Sequence, residues 1–236
     1  MLLSAGKVIH IIQDKQDSFE FSQKKLLKSV PLVRMKSEIT LYIVEINKTQ
    51  YSELKKSDCM NMVKQTFLPQ IIMQSFGLNH DDYEIVAEQH GKPVIKNSKF
   101  ENLHFNISHT DNYWVCATAM CEVGIDIETC AKSRKNIAEY YFTDGEKRNL
   151  EQSQDYNRTF FEIWTGKEAY AKMTGQGLSA TLLRSCTITQ NAVNINQEGV
   201  AHLYRVNISE NTLCTIATKQ IINSVKIINI HSTTTL

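Results

Sequence analysis

The sequence has almost no net charge: 26 lysines and arginines face 25 aspartates and glutamates, leaving +1 over 236 residues. That balance gives no electrostatic case for a nucleic-acid or membrane-surface partner. No apolar run approaches the roughly 18 residues that a membrane helix requires. The stretch from Met1 to Lys7 lacks the sustained apolar core and cleavage site of a secretory signal. The cysteines, at positions 59, 116, 121, 130, 186 and 214, are scattered with no Cys-x-x-Cys spacing. Reduced, buried thiols in a cytoplasmic protein are therefore expected. His10, His80, His90, His104, His202 and His231 carry no ligand-like spacing, and no internal repeat is visible. What remains is an ordinary globular composition, 42% hydrophobic and 22% charged, long enough for one large domain or two small ones.

Residues 1–36 form a polar, lysine-bearing N-terminal extension that the pattern does not assign. From Ile39 to Ile46 the β-branched run predicts a strand. Asp58 to Phe76 reads as a helix with apolar residues at Met62, Val63, Phe67, Ile71 and Ile72, which Pro69 should kink or divide. Tyr83–Ala87 and Leu103–Ile107 read as short strands, and Tyr113–Met120 as a buried one. Thr143 with Glu146 makes a capping box that opens a helix. Asp155 to Lys172 predicts a long helix, stopped at Gly175. Strands follow near 185–189, 202–208, 212–218 and 225–230. Strands mixed with a long helix in each half indicate an α+β protein, with halves at 37–122 and 123–236.

Two segments carry chemistry. In Gly124-Ile-Asp-Ile-Glu128 the apolar and acidic residues alternate, so on a strand Asp126 and Glu128 share one face. Two neighbouring acids repel unless a cation lies between them, and oxygen ligands with a substrate phosphate suit Mg²⁺. In Trp164-Thr-Gly-Lys-Glu-Ala-Tyr-Ala-Lys172, Glu168 and Lys172 are one helical turn apart, with Trp164 one turn earlier. A helix carboxylate set against the strand pair, with an ammonium beside it, reads as a site for a metal-bound phosphate. Each fragment alone also has an ordinary explanation: a solvated strand edge, or a surface Glu–Lys pair worth about 0.2–0.5 kcal/mol. Trp164 reads as a packing residue. Lys167 faces away from Lys172, either toward substrate or on solvated helix surface.

Further motifs surround these. His90-Gly-Lys-Pro93, Phe105-Asn-Ile-Ser-His-Thr110, Phe142-Thr-Asp-Gly-Glu146 and Gly175-Gln-Gly-Leu178 occur in order with the two segments above. The set resembles the 4′-phosphopantetheinyl transferase family of the surfactin-synthetase-activating type, over about residues 78–180. The resemblance implies two similar, pseudo-symmetric halves, each a small, mostly antiparallel sheet packed on a long helix, with the active site in the cleft between them. It implies transfer of 4′-phosphopantetheine from coenzyme A to a serine of an apo-acyl or peptidyl carrier protein, releasing adenosine 3′,5′-bisphosphate, by a monomer.

By the same resemblance, Asp126, Glu128 and Glu168 would hold Mg²⁺, or Mn²⁺, against the pyrophosphate. Glu168 would be the general base, directly or through a metal-bound water, and Lys172 would neutralise a pyrophosphate oxygen. Lys92, Ser108 and His109 would hold the 3′-phosphate and adenosine end of coenzyme A. The front of the chain departs from the family. No Arg-x-x-Leu-Gly is present, and the stretch from Lys48 to Phe76 offers only Lys48, Lys55, Lys56 and Lys64 as cations. The competing readings are a metal-dependent phosphohydrolase and a non-catalytic carrier-binding member of the family.

Overall fold

A computed structural model describes residues 38–46, 55–97, 100–131 and 133–230, and the backbone alone at 10–13 and 231. The expected extension and Lys48 lie largely outside the described residues. Two five-stranded sheets make up the centre. The first runs β1 (His10–Gln13), β12 (Ser224–His231), β2 (Glu38–Glu45), β6 (Tyr113–Ala119) and β5 (His104–His109). The second runs β7 (Val123–Thr129), β11 (Thr212–Thr218), β10 (Glu198–Ser209), β9 (Ala192–Ile195) and β8 (Cys186–Ile188). A separate hairpin pairs β3 (Tyr83–Ala87) with β4 (Pro93–Asn97).

The second sheet is antiparallel throughout. In the first, β12 runs parallel to both β1 and β2. Chain order places residues 224–231 in the second half, but they complete the sheet of the first.

Strand alternation builds four layers. Ile39, Leu41 and Ile43 of β2 point between the sheets, where they meet Ile125 and Ile127 of β7 and Cys214 and Ile216 of β11. Tyr42 and Val44 point the other way, onto α1 (Lys56–Phe76), whose Val63, Phe67, Ile71, Ile72 and Phe76 cover that face. On the far side of the second sheet lies α4 (Tyr156–Thr174), packed through Phe160, Ile163, Ala169 and Met173. Each fully buried Ile, Leu or Phe contributes about 1.5–3 kcal/mol, so a one-residue slip in β2 or β7 would be strongly disfavoured.

Pro69 does not divide α1, which runs as one element from Lys56 to Phe76. The buried apolar residues on either side of Pro69 hold the helix on its sheet despite one missing donor. The Thr143–Glu146 capping box is present at the start of α3 (Asp144–Gln152), with both reciprocal bonds made. Two short helices, α2 (Lys135–Tyr141) and α5 (Ala180–Ser185), were not expected, nor were β4 and β9. Elements this short do not complete a periodic window. Among the described residues no helix is long and apolar enough to cross a membrane.

One glycine sets the spacing between β7 and α4. A Cβ placed on Gly124 would lie 2.1 Å from the Ala169 carbonyl oxygen and 2.3 Å from the Met173 nitrogen. The helix backbone thus rests directly on the strand, and only a residue without a side chain permits it. Gly124→Ala should lower Tm by about 5–10 °C, because the helix must lift from the sheet. Gly145→Ala, on exposed α3 with its nearest neighbour 3.9 Å from the new Cβ, should leave Tm unchanged or raise it by up to about 3 °C. Differential scanning calorimetry checks both.

Candidate active site

The edge strand of one sheet meets the edge strand of the other, and side chains bridge them. In β5, Phe105 and Ile107 point to the α1 core, so Asn106 and Ser108 turn toward β7. The Asn106 amide oxygen accepts the Ile125 backbone N–H at 3.0 Å, satisfying a donor that a sheet edge would leave open. One residue along β7, the Ser108 hydroxyl donates to Asp126 Oδ1 at 3.0 Å. Lys172, delivered by α4, donates to the same Oδ1 at 2.7 Å and to Ser108 Oγ at 2.9 Å. Three elements from two sheets and a helix therefore converge on one carboxylate, which is 3% exposed.

Glu168 and Glu128 share this environment. Burial raises the Glu168 carboxyl to about 8, helped by Asp126 and Glu128 and opposed by Lys172. Burial and Asp126 also push Glu128 upward, against Arg134, Lys172 and a hydrogen bond from Trp164. Burial alone would lower the Lys172 ammonium, but Asp126 and Glu168 outweigh it and hold it above its ordinary value. Asp126 Oδ2 is buried with no hydrogen-bond partner.

Among the described residues no three His, Cys, Asp or Glu side chains are already gathered in metal-ligating geometry. Lys172 supplies the positive charge at Asp126 instead. An all-oxygen donor set, an orphaned Oδ2 and two carboxyls whose charged forms are disfavoured by burial and by Asp126 nonetheless fit a hard divalent cation.

Other sequence-derived candidates fall at different distances from this centre. His109 ends β5 near Lys56, Lys172 and Asp111, and burial with the two lysines lowers its pKa. Lys92 lines a cavity of about 380 Å³ beside the acids, together with Asn106, Ile107, Lys172, Gly175 and Leu178. Its ammonium donates to the Met173 carbonyl at 2.5 Å. Ser108 lies within the acid cluster itself.

Lys167 is neither on solvated surface nor aimed at a substrate. It is 0% exposed, pairs with Glu146 at 2.9 Å and donates to the Leu183 and Cys186 carbonyls, each at 2.6 Å. Glu146 in turn accepts the Thr143 N–H at 2.8 Å and the Ile188 N–H at 2.7 Å. The capping box and the lysine before Glu168 thus form one buried structural lock. Trp164 packs as expected, between Tyr141 and the core, and it also lies near enough to Glu128 to favour that carboxyl's charged form. Sequence reasoning missed that contact and the Asn106 bridge. The position of Asn106 two residues before Ser108, on the same strand face, was the available signal.

Residues 122–217 match the family described as the 4′-phosphopantetheinyl transferase superfamily. Residues 38–121 match a second, described as 4′-phosphopantetheinyl transferase, N-terminal. The chain is 33% identical over 114 residues to the 4′-phosphopantetheinyl transferase ffp of Bacillus subtilis, covering 48% of this chain and 50% of that protein. It is 31% identical over 120 residues to the 4′-phosphopantetheinyl transferase gsp of Aneurinibacillus migulanus, covering 50% and 49%. A longer match, 26% identical over 189 residues, is to the L-aminoadipate-semialdehyde dehydrogenase-phosphopantetheinyl transferase of Saccharomyces cerevisiae, covering 75% of this chain and 65% of that protein. The chain thus spans about half the length of the bacterial relatives it matches.

Lys167→Met would strand the buried Glu146 carboxylate and should cost about 3–5 kcal/mol in urea unfolding. The double variant Lys167→Met/Glu146→Gln should be less destabilised than the sum of its parts. Glu168 gives a pH test in the presence of chelator. Its folded pKa, about 8, lies above its ordinary value of 4.5, so the folded state holds the extra proton between the two. Stability from this group is full below the lower value and lost as pH rises through the upper. Between pH 6.5 and 8.5, Tm of the wild type should therefore fall more steeply than Tm of Glu168→Gln.

Proposed function

We propose, because the chain belongs to the 4′-phosphopantetheinyl transferase superfamily, that it moves 4′-phosphopantetheine from coenzyme A to a serine hydroxyl of an apo-carrier protein. One observation carries this reading: Asp126, Glu168, Glu128, Lys172 and Ser108 form a single interacting cluster built from both sheets. In the reaction the carrier serine oxygen bonds to the β-phosphorus of the pyrophosphate. The bond from that phosphorus to the bridging oxygen breaks, and adenosine 3′,5′-bisphosphate leaves. The hydroxyl proton needs an acceptor, and negative charge on the pyrophosphate must be neutralised.

Glu168 suits the proton acceptor. Ionised, it could take the serine proton directly or through a water, and the cation that would sit among these acids favours that ionised form. Lys172 supplies a fixed positive charge beside the acids for a phosphate oxygen. Ser108 orients both Lys172 and Asp126 through its hydroxyl. His109, close to Lys56 and Lys172 at the open end of β5, lies where a second anionic group of coenzyme A could be met. Asp126, Glu128 and Glu168 would hold Mg²⁺ or Mn²⁺, which would supply Lewis-acid neutralisation of the pyrophosphate. The chain would act without nucleic acid or membrane, in the cytoplasm.

The protein, coenzyme A, Mg²⁺ and a panel of apo-carrier domains should yield carrier heavier by one phosphopantetheine in a mass spectrum. Chelator should abolish the adduct, and Asp126→Ala should slow it by about 100-fold or more. Adduct formation indifferent to both would refute the metal assignment. Coenzyme A breakdown without carrier would identify a hydrolase, and tight carrier binding with no adduct would identify a binding module.

A further inference from the structure

We infer, resting on the reading above, that Lys92 is a positioning residue: it ties the β3–β4 loop to the carbonyl end of α4 and so fixes where Lys172 lies. The last carbonyls of a helix have no partner within it and need one from elsewhere. At the end of α4, the Ala171 carbonyl accepts the Gly175 N–H at 3.0 Å. The Met173 carbonyl accepts the Lys92 ammonium at 2.5 Å. A cation at this end also opposes the negative pole of the helix.

Two further contacts join the same loops. Gly175, at φ +69°, has its Cβ direction 3.3 Å from Lys92 Cδ, and Gly177, at φ +70°, has its own 3.2 Å from the His90 ring. The loop after α4 thus approaches the β3–β4 loop with nothing but backbone on its side. The β3–β4 loop is itself held, by Glu88 N–H to the Lys92 carbonyl at 2.8 Å and Gly91 N–H to the Glu88 carbonyl at 3.0 Å. His90 within it sits at φ 58°, a conformation that a non-glycine residue rarely adopts without surrounding support.

The consequence for chemistry follows from chain position. Met173 is the residue after Lys172, whose ammonium must reach Ser108 on β5 and Asp126 on β7 together, at 2.9 and 2.7 Å. Small movement of the helix end would break one bond or the other. Misplacement of about 1 Å can cost about 100-fold in rate. Lys92 acts through Met173 on that placement.

Lys92→Met and Lys92→Arg test this by steady-state kinetics and by hydrogen exchange of the intact protein. In Lys92→Met, kcat should fall by about 10- to 100-fold while KM for coenzyme A stays within about twofold. Amide exchange across 172–178 should accelerate, with exchange in the second sheet unchanged. Lys92→Arg, which keeps a donor and the charge, should restore most of kcat and the slow exchange. A rise in KM with kcat unchanged would assign Lys92 to a coenzyme A phosphate and overturn the inference. Unaltered exchange across 172–178 in Lys92→Met would overturn it as well. If the wild type modifies no carrier, the functional reading fails, while the exchange comparison still decides the role of Lys92.

Discussion

The direct backbone contact between α4 and Gly124 is the constraint from which the rest of the centre follows. Sheets and helices usually pack about 10 Å apart because side chains fill the space between them. At Gly124 the side chain is missing, and the Ala169 carbonyl lies where a Cβ would be. The helix is thereby drawn onto the strand within one turn of Glu168 and Lys172. Asp126, two residues after Gly124 on the same strand face, is then in reach of both. Any larger residue at position 124 would separate the acids on the strand from the cation on the helix.

The cluster that results is electrostatically incomplete without a positive charge. Burial, with Asp126 beside them, raises the affinity of Glu128 and Glu168 for protons. Lys172 answers only part of this, by taking Asp126 Oδ1 and leaving Oδ2 buried without a partner. The Glu146–Lys167 pair stands in contrast on the other side of the same helix. There every ligand is a protein group, the lysine is sealed from solvent, and the charges are closed off by backbone partners. One face of α4 is thus satisfied internally and the other left with capacity to bind. That asymmetry is the physical basis for separating structural from functional charge in the segment from Trp164 to Lys172.

Much of the fold and part of the site were legible in the chain. β2, β6, β7, β11 and α4 were recoverable because each is long enough to show its period and is bounded by clear stops, such as Gly175 after α4. The acid face of β7 was legible for the same reason. The hydrogen-bond partners of Lys167 and Lys92 were not. Both are lysines in family-like motifs, and sequence assigns such residues to solvent or to an anion by default. Lys167 is instead enclosed by α3 and α5, and α5 was too short to be foreseen. The Met173 carbonyl that holds Lys92 is a backbone group, which no side-chain pattern can announce.

Sequence by itself determined the α+β character, the helical spacing that sets Glu168 and Lys172 on one face, and the alternation that sets Asp126 beside Glu128. These are local properties, fixed by the geometry of one strand or one turn. Tertiary structure alone decided that β12 returns to the first sheet, that Asn106 and Ser108 bridge two sheet edges, and that Lys167 is sealed against Glu146. Those outcomes depend on contacts between residues far apart in the chain, where the energy lies in burial and in satisfying polar groups and leaves no periodic trace.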